Sequence, residues 1–487
     1  MPPAPHPLRP FVAPVVVLLA ALLAPSGMDA AEVSDAVERA VRAGRKVAPQ
    51  IGVHVVEIES GREVFGRRPD DLHIVASNTK LVTTAVALDR LGPGYLFETR
   101  FLLRGRIEGS SLDGDLAVVG GGDPNISGRH YDGDSFAVFR RWAAALRERG
   151  VRRVEGDLFL DHGLFVGDEV HPDWPARGQD RWYQAPVSAL SFSDNCVLVR
   201  VKPGERAGSP AAVELVPDLD LFEVTNRAKT VAGRSRHGAQ IGRRAGGDEL
   251  TVQGTLTPRG GKVERWVSVP NPVRYFGAGV RTALALEGIE LSGDLRPVSH
   301  LPGLQWEGVA THRTDLLTAI HVTNKRSQNF YAESLIKLVG AVGCGQGSWH
   351  AGIRAARELL ADFGIAPGTY VMADGSGMSR GNRFTPRQLT TLLRSMYFHR
   401  WGREFLRSLP YSGEQELSWN ERLAEPPYLN NVFAKTGTLS GVSTLSGYAK
   451  GRSGRLYAFS ILLNGNSGRR AAHDLQDRIV RALIDAG

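Results

Sequence analysis

The sequence predicts an α/β fold whose main unit is split between the two ends of the chain. Three observations predict it. Residues 51–58 (IGVHVVEI) alternate as a strand does, and 77–91 follow as a mostly apolar, hence buried, helix. Near the other end, FAKTG, TLSGYAKG and LYAFSILLN read as sheet strands before a final helix at 469–484. Between the ends, 189–265 break into short β-runs separated by Gly, Pro and charge clusters, the texture of an all-β insertion.

The elements run as follows. Residues 1–30 hold Arg9, an apolar stretch over 11–24 and a small-residue end, which is the layout of a secretory signal peptide cleaved near Ala30 or Ala31. The apolar stretch is shorter than the roughly 20 residues a spanning helix needs. No Cys follows it to carry a lipid, so export to the periplasm is expected. An amphipathic helix is expected over 33–44, and the strand 51–58 turns at Gly61 toward a partner beginning at 62–65. Residues 99–120 read as short strands separated by Gly, 136–149 as a helix stopped by Gly150, and 272–288 as another helix. Helices over 314–323 and 329–339 flank a polar break. The final helix carries Arg469, Arg470, Arg478 and Arg481, but its apolar face (Leu475, Ile479, Leu483) is expected to pack on the sheet.

The chain has 487 residues, 42% hydrophobic and 23% charged, an ordinary globular composition with room for two to four domains at roughly 100–200 residues each. Two cysteines, Cys196 and Cys344, exclude a disulfide scaffold or a cysteine-rich metal module, and read as buried free thiols. The net charge of +8 is dispersed, without a run of five basic residues. That is a solvated surface rather than a nucleic-acid footprint. An anionic wall polymer or membrane face is a better match for an exported basic protein. The His are scattered, and H-E-x-x-H and P-loop motifs are absent, so neither metal nor cofactor is implied. Gly120–Asp123 (GGGD) reads as a turn rather than a phosphate cradle.

Three short motifs carry chemistry. Ser77-Asn78-Thr79-Lys80 opens the buried helix, and residues i and i+3 share a face, so the amine reaches the hydroxyl. Serine needs such a base, and lysine serves only when neutral, which burial and a second nearby cation favour. Ser334-Leu335-Ile336-Lys337 fits the same pattern but lies mid-helix. Lys435-Thr436-Gly437 continues through Thr438 toward a hairpin. There Lys435 and Thr436 can face a carboxylate, Gly437 permits close approach, and the Thr438 N–H can pair with that of Ser77 as an oxyanion hole. Of three S-x-N triplets, Ser193-Asp194-Asn195 falls in the β-rich insertion and Ser418-Trp419-Asn420 in a charged loop. Ser327-Gln328-Asn329 sits in the break between two helices, where it can aim into a cleft.

The order S-x-x-K, long insertion, S-x-N, K-T-G resembles the serine penicillin-recognising enzymes. ASNTKLVTTAVAL, GGGDP, APVSALSFSDN, NKRSQNFYAESL, DGSGMSRGNRFTP and AKTGTLSGVSTLSGYA narrow the resemblance. They are similar to class C low-molecular-mass penicillin-binding proteins, which are D-alanyl-D-alanine carboxypeptidases/endopeptidases. The resemblance implies a β-lactamase/transpeptidase-like domain, an antiparallel sheet flanked by helices plus an all-helical subdomain, with inserted β-rich domains. The expected boundaries are 31–98 with 297–487 for that domain, 99–188 with 266–296 for a first insertion, and 189–265 for a nested one. It implies Ser77 as acylated nucleophile, Lys80 as its base and Ser327 as proton relay. Asn329 would hold the acyl-amide, Lys435 and Thr436 the terminal carboxylate, and Met378 and Arg380 (SGMSR) the peptide stem. The partners implied are peptidoglycan stem peptides and cross-links, and β-lactams as covalent inhibitors.

Two other readings remain open on sequence. A β-lactamase or esterase on this fold needs a dedicated deacylating base between S-x-N and K-T-G, and Glu333 and Glu358 there read as helix-surface residues. A non-enzymatic wall-binding protein would not need a complete motif set.

Overall fold

In the computed structural model, residues 30–233, 237–303, 305–415, 417, 421–466 and 468–487 are described. The leader segment expected at 1–30 therefore lies outside the described residues apart from Ala30, as does Ser418-Trp419-Asn420. Among the described residues no helix is long and apolar enough to cross a membrane.

The two chain ends meet in one antiparallel five-stranded sheet. Its strand order is Val432–Leu439, Val442–Lys450, Leu456–Asn464, Gln50–Glu57, Glu63–Arg67. The central strands are buried on both faces, which explains their near-continuous apolar texture. One face is covered by Ala30–Ala43 and Arg469–Ala486. Their Val33, Val37, Leu475, Ile479 and Leu483 join Val53, Leu445 and Ile461 in one cluster. The apolar face of the last helix thus packs on the sheet, and its arginines point outward. The other face carries the helices Thr79–Leu91, Leu316–Lys325, Asn329–Cys344, Trp349–Asp362 and Pro386–Phe398, with Val82, Val86, Ile320, Leu335 and Leu393 at their centre. This is the α/β class with a helical subdomain that the motifs implied.

The strands expected within 99–120 are present, longer than expected, as Leu96–Glu108 and Ser111–Val119, and they form one hairpin. Gly105 and Gly114 face each other in register, and a Cβ on either would strike the opposite backbone. The two glycines let the strands close on each other. Glu307–Asp315 pairs along Leu96–Glu108, so this seven-stranded sheet runs directly into the helix Leu316–Lys325. Two further sheets have three strands each. One comprises Val263–Ser268, Cys196–Lys202 and Ala212–Val216, the other Glu223–Thr230, Glu249–Leu256 and Gly238–Arg243. Among the described residues Cys196 and Cys344 form no disulfide; Cys196 is buried and Cys344 half-buried rather than buried.

Candidate active site

Ser77 sits in a single 3-10 turn, Ala76–Asn78, that feeds the helix Thr79–Leu91. The turn holds Ala76 at φ 45°, a left-handed conformation costly for a residue with a Cβ. Neighbouring elements hold it there. Asn78 donates to the Lys435 carbonyl at 2.7 Å and accepts from Ser446 Oγ at 2.8 Å, which stitches the turn to the K-T-G strand. Gly377, at φ 83°, lies so close to the Ala76 carbonyl that a Cβ there would overlap it. The helix N-terminus beneath the turn favours negative charge near Ser77.

Lys80 is fully buried one turn on. Its Nζ donates to Ser77 Oγ at 3.0 Å, Asn329 Oδ1 at 2.7 Å and the Ser376 carbonyl at 2.7 Å. Burial pulls its pKa from 10.5 down to about 7, with the Glu333 and Asp374 carboxylates opposing the fall. Lys435, equally buried, donates to Ser327 Oγ at 2.9 Å and to the Thr436 carbonyl at 3.0 Å. Burial first, then repulsion from Lys80, holds it well below the usual lysine range. Each amine thus holds one site serine.

Ser327 lies between Leu316–Lys325 and Asn329–Cys344, at φ 55°. Its neighbour Gln328 turns the other way, donating to Asp194 Oδ2 at 3.1 Å. Asp194 also pairs with Arg129. The S-D-N triplet of the insertion, set aside on position, thus lies behind the S-Q-N loop, and Asn195 braces its own loop by donating to the Pro186 carbonyl at 2.9 Å. Asn329 spans both parts of the molecule: Oδ1 accepts from Lys80, and Nδ2 donates to the Tyr183 carbonyl at 2.9 Å.

The strand Val432–Leu439 is an edge of the main sheet. Ser412 N donates to the Val432 carbonyl and Ala434 N to the Pro410 carbonyl, both at 2.9 Å. Backbone groups therefore point off the edge at Val432 and Ala434, and strand alternation points those of Thr436 and Thr438 the same way. At Gly437 a Cβ would fall 2.9 Å from Ser77 N and from the Val75 carbonyl, and closer still to Thr444 Oγ1. Only glycine lets the strand lie this close to the nucleophile turn. Met378 is half-buried. Arg380 is exposed and reaches the Ser440 carbonyl at 3.0 Å across the mouth of the hairpin.

One expectation is overturned. Glu333 is not on the helix surface; it is fully buried. Its oxygens accept from Ser376 N (2.7 Å), Gly375 N (2.9 Å) and Trp349 Nε1 (2.7 Å). Burial and the neighbouring Asp374 raise its pKa to about 7. Its i+4 spacing from Asn329 puts both side chains on one helix face, the signal that could have revealed it. Asp374 works beside it, accepting from Gly377 N, Ser379 N, Asn382 Nδ2 and Trp174 Nε1. The two carboxylates shape the loop that presents the Ser376 carbonyl to Lys80. Glu358 is exposed and pairs with Arg90, as expected of a surface residue. In the second S-x-x-K, Ser334 donates to the Phe330 carbonyl and Lys337 to the Asp168 carbonyl, so the two do not meet.

The D-Ala-D-Ala carboxypeptidase 3 (S13) family matches residues 33–485. The chain belongs to this family. A D-alanyl-D-alanine carboxypeptidase of Actinomadura sp. (strain R39) is 34% identical over 454 residues, covering 89% of this chain and 81% of that protein. The D-alanyl-D-alanine carboxypeptidase DacB of Haemophilus influenzae is 26% identical, covering 84% and 83%. In fold, the chain is similar to the crystal structure of penicillin binding protein 4 from Haemophilus influenzae, with TM-score 0.78, 24% identity and coverage of 91% and 97%. The same protein complexed with a β-lactam gives a TM-score of 0.74 at 23% identity, covering 91% and 97%. The family read from the motifs is the one matched. The protein is a hydrolase of the D-Ala-D-Ala carboxypeptidase class.

Proposed function

We propose that this carboxypeptidase is a serine-type enzyme that also cleaves D-Ala–meso-diaminopimelate cross-links, acts on peptidoglycan stem peptides and is acylated by β-lactams. The observation that carries the reading is Lys80 Nζ, with a pKa near 7, hydrogen-bonded at once to Ser77 Oγ and Asn329 Oδ1. A base matched to neutral pH is what a serine nucleophile needs.

In the proposed reaction, the substrate carboxylate sits against Lys435 and Thr436, and the acyl-amide faces Asn329. Met378 and Arg380 flank the stem. Lys80 takes the Ser77 proton as Oγ attacks the carbonyl of the penultimate D-Ala. The Ser77 and Thr438 N–H groups receive the oxyanion, with Gly437 permitting that approach. The C–N bond breaks as a proton reaches the leaving amine through Ser327. Free D-Ala departs, or the second strand in cross-link cleavage. Water then hydrolyses the ester and Ser77 regains its proton. A β-lactam offers the same carbonyl and carboxylate in a strained amide, so it acylates Ser77 in the same way.

The lactamase reading is not favoured. Both oxygens of Glu333 are occupied by N–H donors, and Glu358 is on the surface. The same proposal places the protein outside the cytoplasm and divides it into a split catalytic domain with two nested insertions. Mass analysis of muropeptides before and after incubation tests it. Loss of terminal D-Ala and conversion of cross-linked dimers to monomers are expected, both absent for Ser77→Ala. Either product persisting with that variant would refute the assignment.

A further inference from the structure

We infer that an aromatic-walled cleft beside the S-Q-N loop binds the amino-sugar rings of the glycan strand that carries the stem peptide. The inference rests on the proposed peptidoglycan substrate and extends the recognised part of it from peptide to sugar.

The cleft holds about 640 Å³, a size suited to a small organic ligand. The Trp182 and Trp266 side chains wall it, and they are 41% and 46% exposed. Large aromatic surfaces left open together mark an interaction site. Trp266 does not stand alone. In register across three strands, it faces Leu198, which faces Val216, so an apolar row crosses the outer face of this small sheet. The charged row beside it, Glu264–Arg200–Glu214, is internally paired at 2.6 and 2.9 Å. A flat apolar strip with a satisfied polar border suits the face of a pyranose ring.

Polar groups line the same cleft, Gln328 and Asp194 together with Arg129, Arg200 and Arg326. Gln328 Oε1 and Asp194 Oδ1 are buried acceptors without a hydrogen-bond donor among the described residues. Gln328 is itself only 6% exposed. Leaving such acceptors unmet is costly. A ligand rich in O–H and amide N–H matches the acceptor character of these two cleft-lining side chains. An N-acetylated hexosamine has both kinds of donor.

The position also fits. Ser77, Lys80, Asn329 and the Tyr183 carbonyl are joined by successive hydrogen bonds of 3.0, 2.7 and 2.9 Å, and Trp182 is the residue before Tyr183. Four stem residues between the scissile carbonyl and the sugar span at most about 14 Å when extended. A stem held at Ser77 therefore has its sugar within reach of Trp182.

The experiment compares kcat and KM for a free pentapeptide stem and for the same stem on its disaccharide, using wild type, Trp266→Ala and Trp182→Ala. Wild type should prefer the disaccharide form through a lower KM. Trp266→Ala, remote from the reacting groups, should lose about fivefold to tenfold in kcat/KM on that form and nothing on the free stem. Trp266→Tyr should keep most of the preference. Equal KM for the two substrates in wild type, or equal losses on both in Trp266→Ala, would overturn the sugar site. A loss confined to a sugar-free cross-linked peptide dimer would assign the cleft to a second stem peptide instead. Failure of the substrate reading shows separately, as no hydrolysis of the free stem by wild type.

Discussion

Replacing Glu333 by Gln tests how much of the site depends on a residue that touches no substrate. The change keeps volume and shape, so no cavity forms. At pH 8, above its raised pKa of about 7, Glu333 is an acceptor-only carboxylate meeting three N–H donors. Glutamine must turn an NH₂ toward one of its two sides. The cheaper choice faces Ser376 N, because the other oxygen serves both Gly375 N and Trp349 Nε1. One hydrogen bond to a charged acceptor is lost and one N–H is left unmet. Together these cost about 2–5 kcal/mol. The neutral amide also escapes the burial penalty that raises the Glu333 pKa, an offset of about 3 kcal/mol at pH 8, so stability at pH 8 should change little. Two activity effects run in different directions. The Ser376 carbonyl, which accepts from Lys80, loses its anchor, so the maximal kcat/KM falls. The negative charge that opposes the fall in the Lys80 pKa is removed, so the acidic limb of the profile moves to lower pH. Urea unfolding at pH 8 and kcat/KM between pH 5 and 9 on a D-Ala-D-Ala peptide measure all three. A maximal kcat/KM left at the wild-type value, or an acidic limb displaced upward, would refute the reasoning.

Other outcomes follow from the same geometry. For wild type, kcat/KM should rise about tenfold from pH 6 to pH 8, because a base with a pKa of about 7 goes from about one-tenth to nine-tenths neutral; a flat profile, or one still climbing to pH 10, would contradict a depressed Lys80. Gly437→Ala should fold yet lose about 10- to 100-fold in acylation rate, since the new Cβ forces the K-T-G strand off the Ser77 turn at a cost of about 1–3 kcal/mol; stopped-flow acylation by a chromogenic β-lactam reads this. Asp194→Ala removes the partner of Gln328 and Arg129 behind Ser327. It should lower kcat more than it raises KM on a free stem peptide, and an unchanged kcat would show that the S-Q-N loop holds its shape unaided.

What the sequence revealed divides along a physical line. Chemistry carried by short spacing was legible: Ser77 and Lys80 at i and i+3, and the break that points Ser327 and Asn329 inward. So was the exclusion of Ser334/Lys337, whose groups are consumed by their own helix and a distant carbonyl. The split of the main sheet was legible too, because the strands at both ends carry the apolar texture of a doubly covered sheet. What was hidden depends on contacts far apart in sequence. A glutamate in a helix reads as solvent-facing, and the N–H groups that allow Glu333 to be buried come from the Gly375 and Ser376 backbone and from Trp349, all brought in by the fold. The pairing of Gly105 with Gly114 was hidden as well, because their register became apparent only with the hairpin closed. Nothing local marks the Tyr183 carbonyl as the partner of Asn329, or Asn78 as the tie between the nucleophile turn and Lys435.

The central claim is that Ser77 is the acylated atom-bearing residue, activated by Lys80. Intact-protein mass measurement after incubation with benzylpenicillin, followed by peptide mapping, tests it directly. The account predicts a single penicilloyl adduct on the peptide containing Ser77, and none on Ser77→Ala. An adduct that maps to Ser193 or Ser334, or that persists in Ser77→Ala, would contradict it.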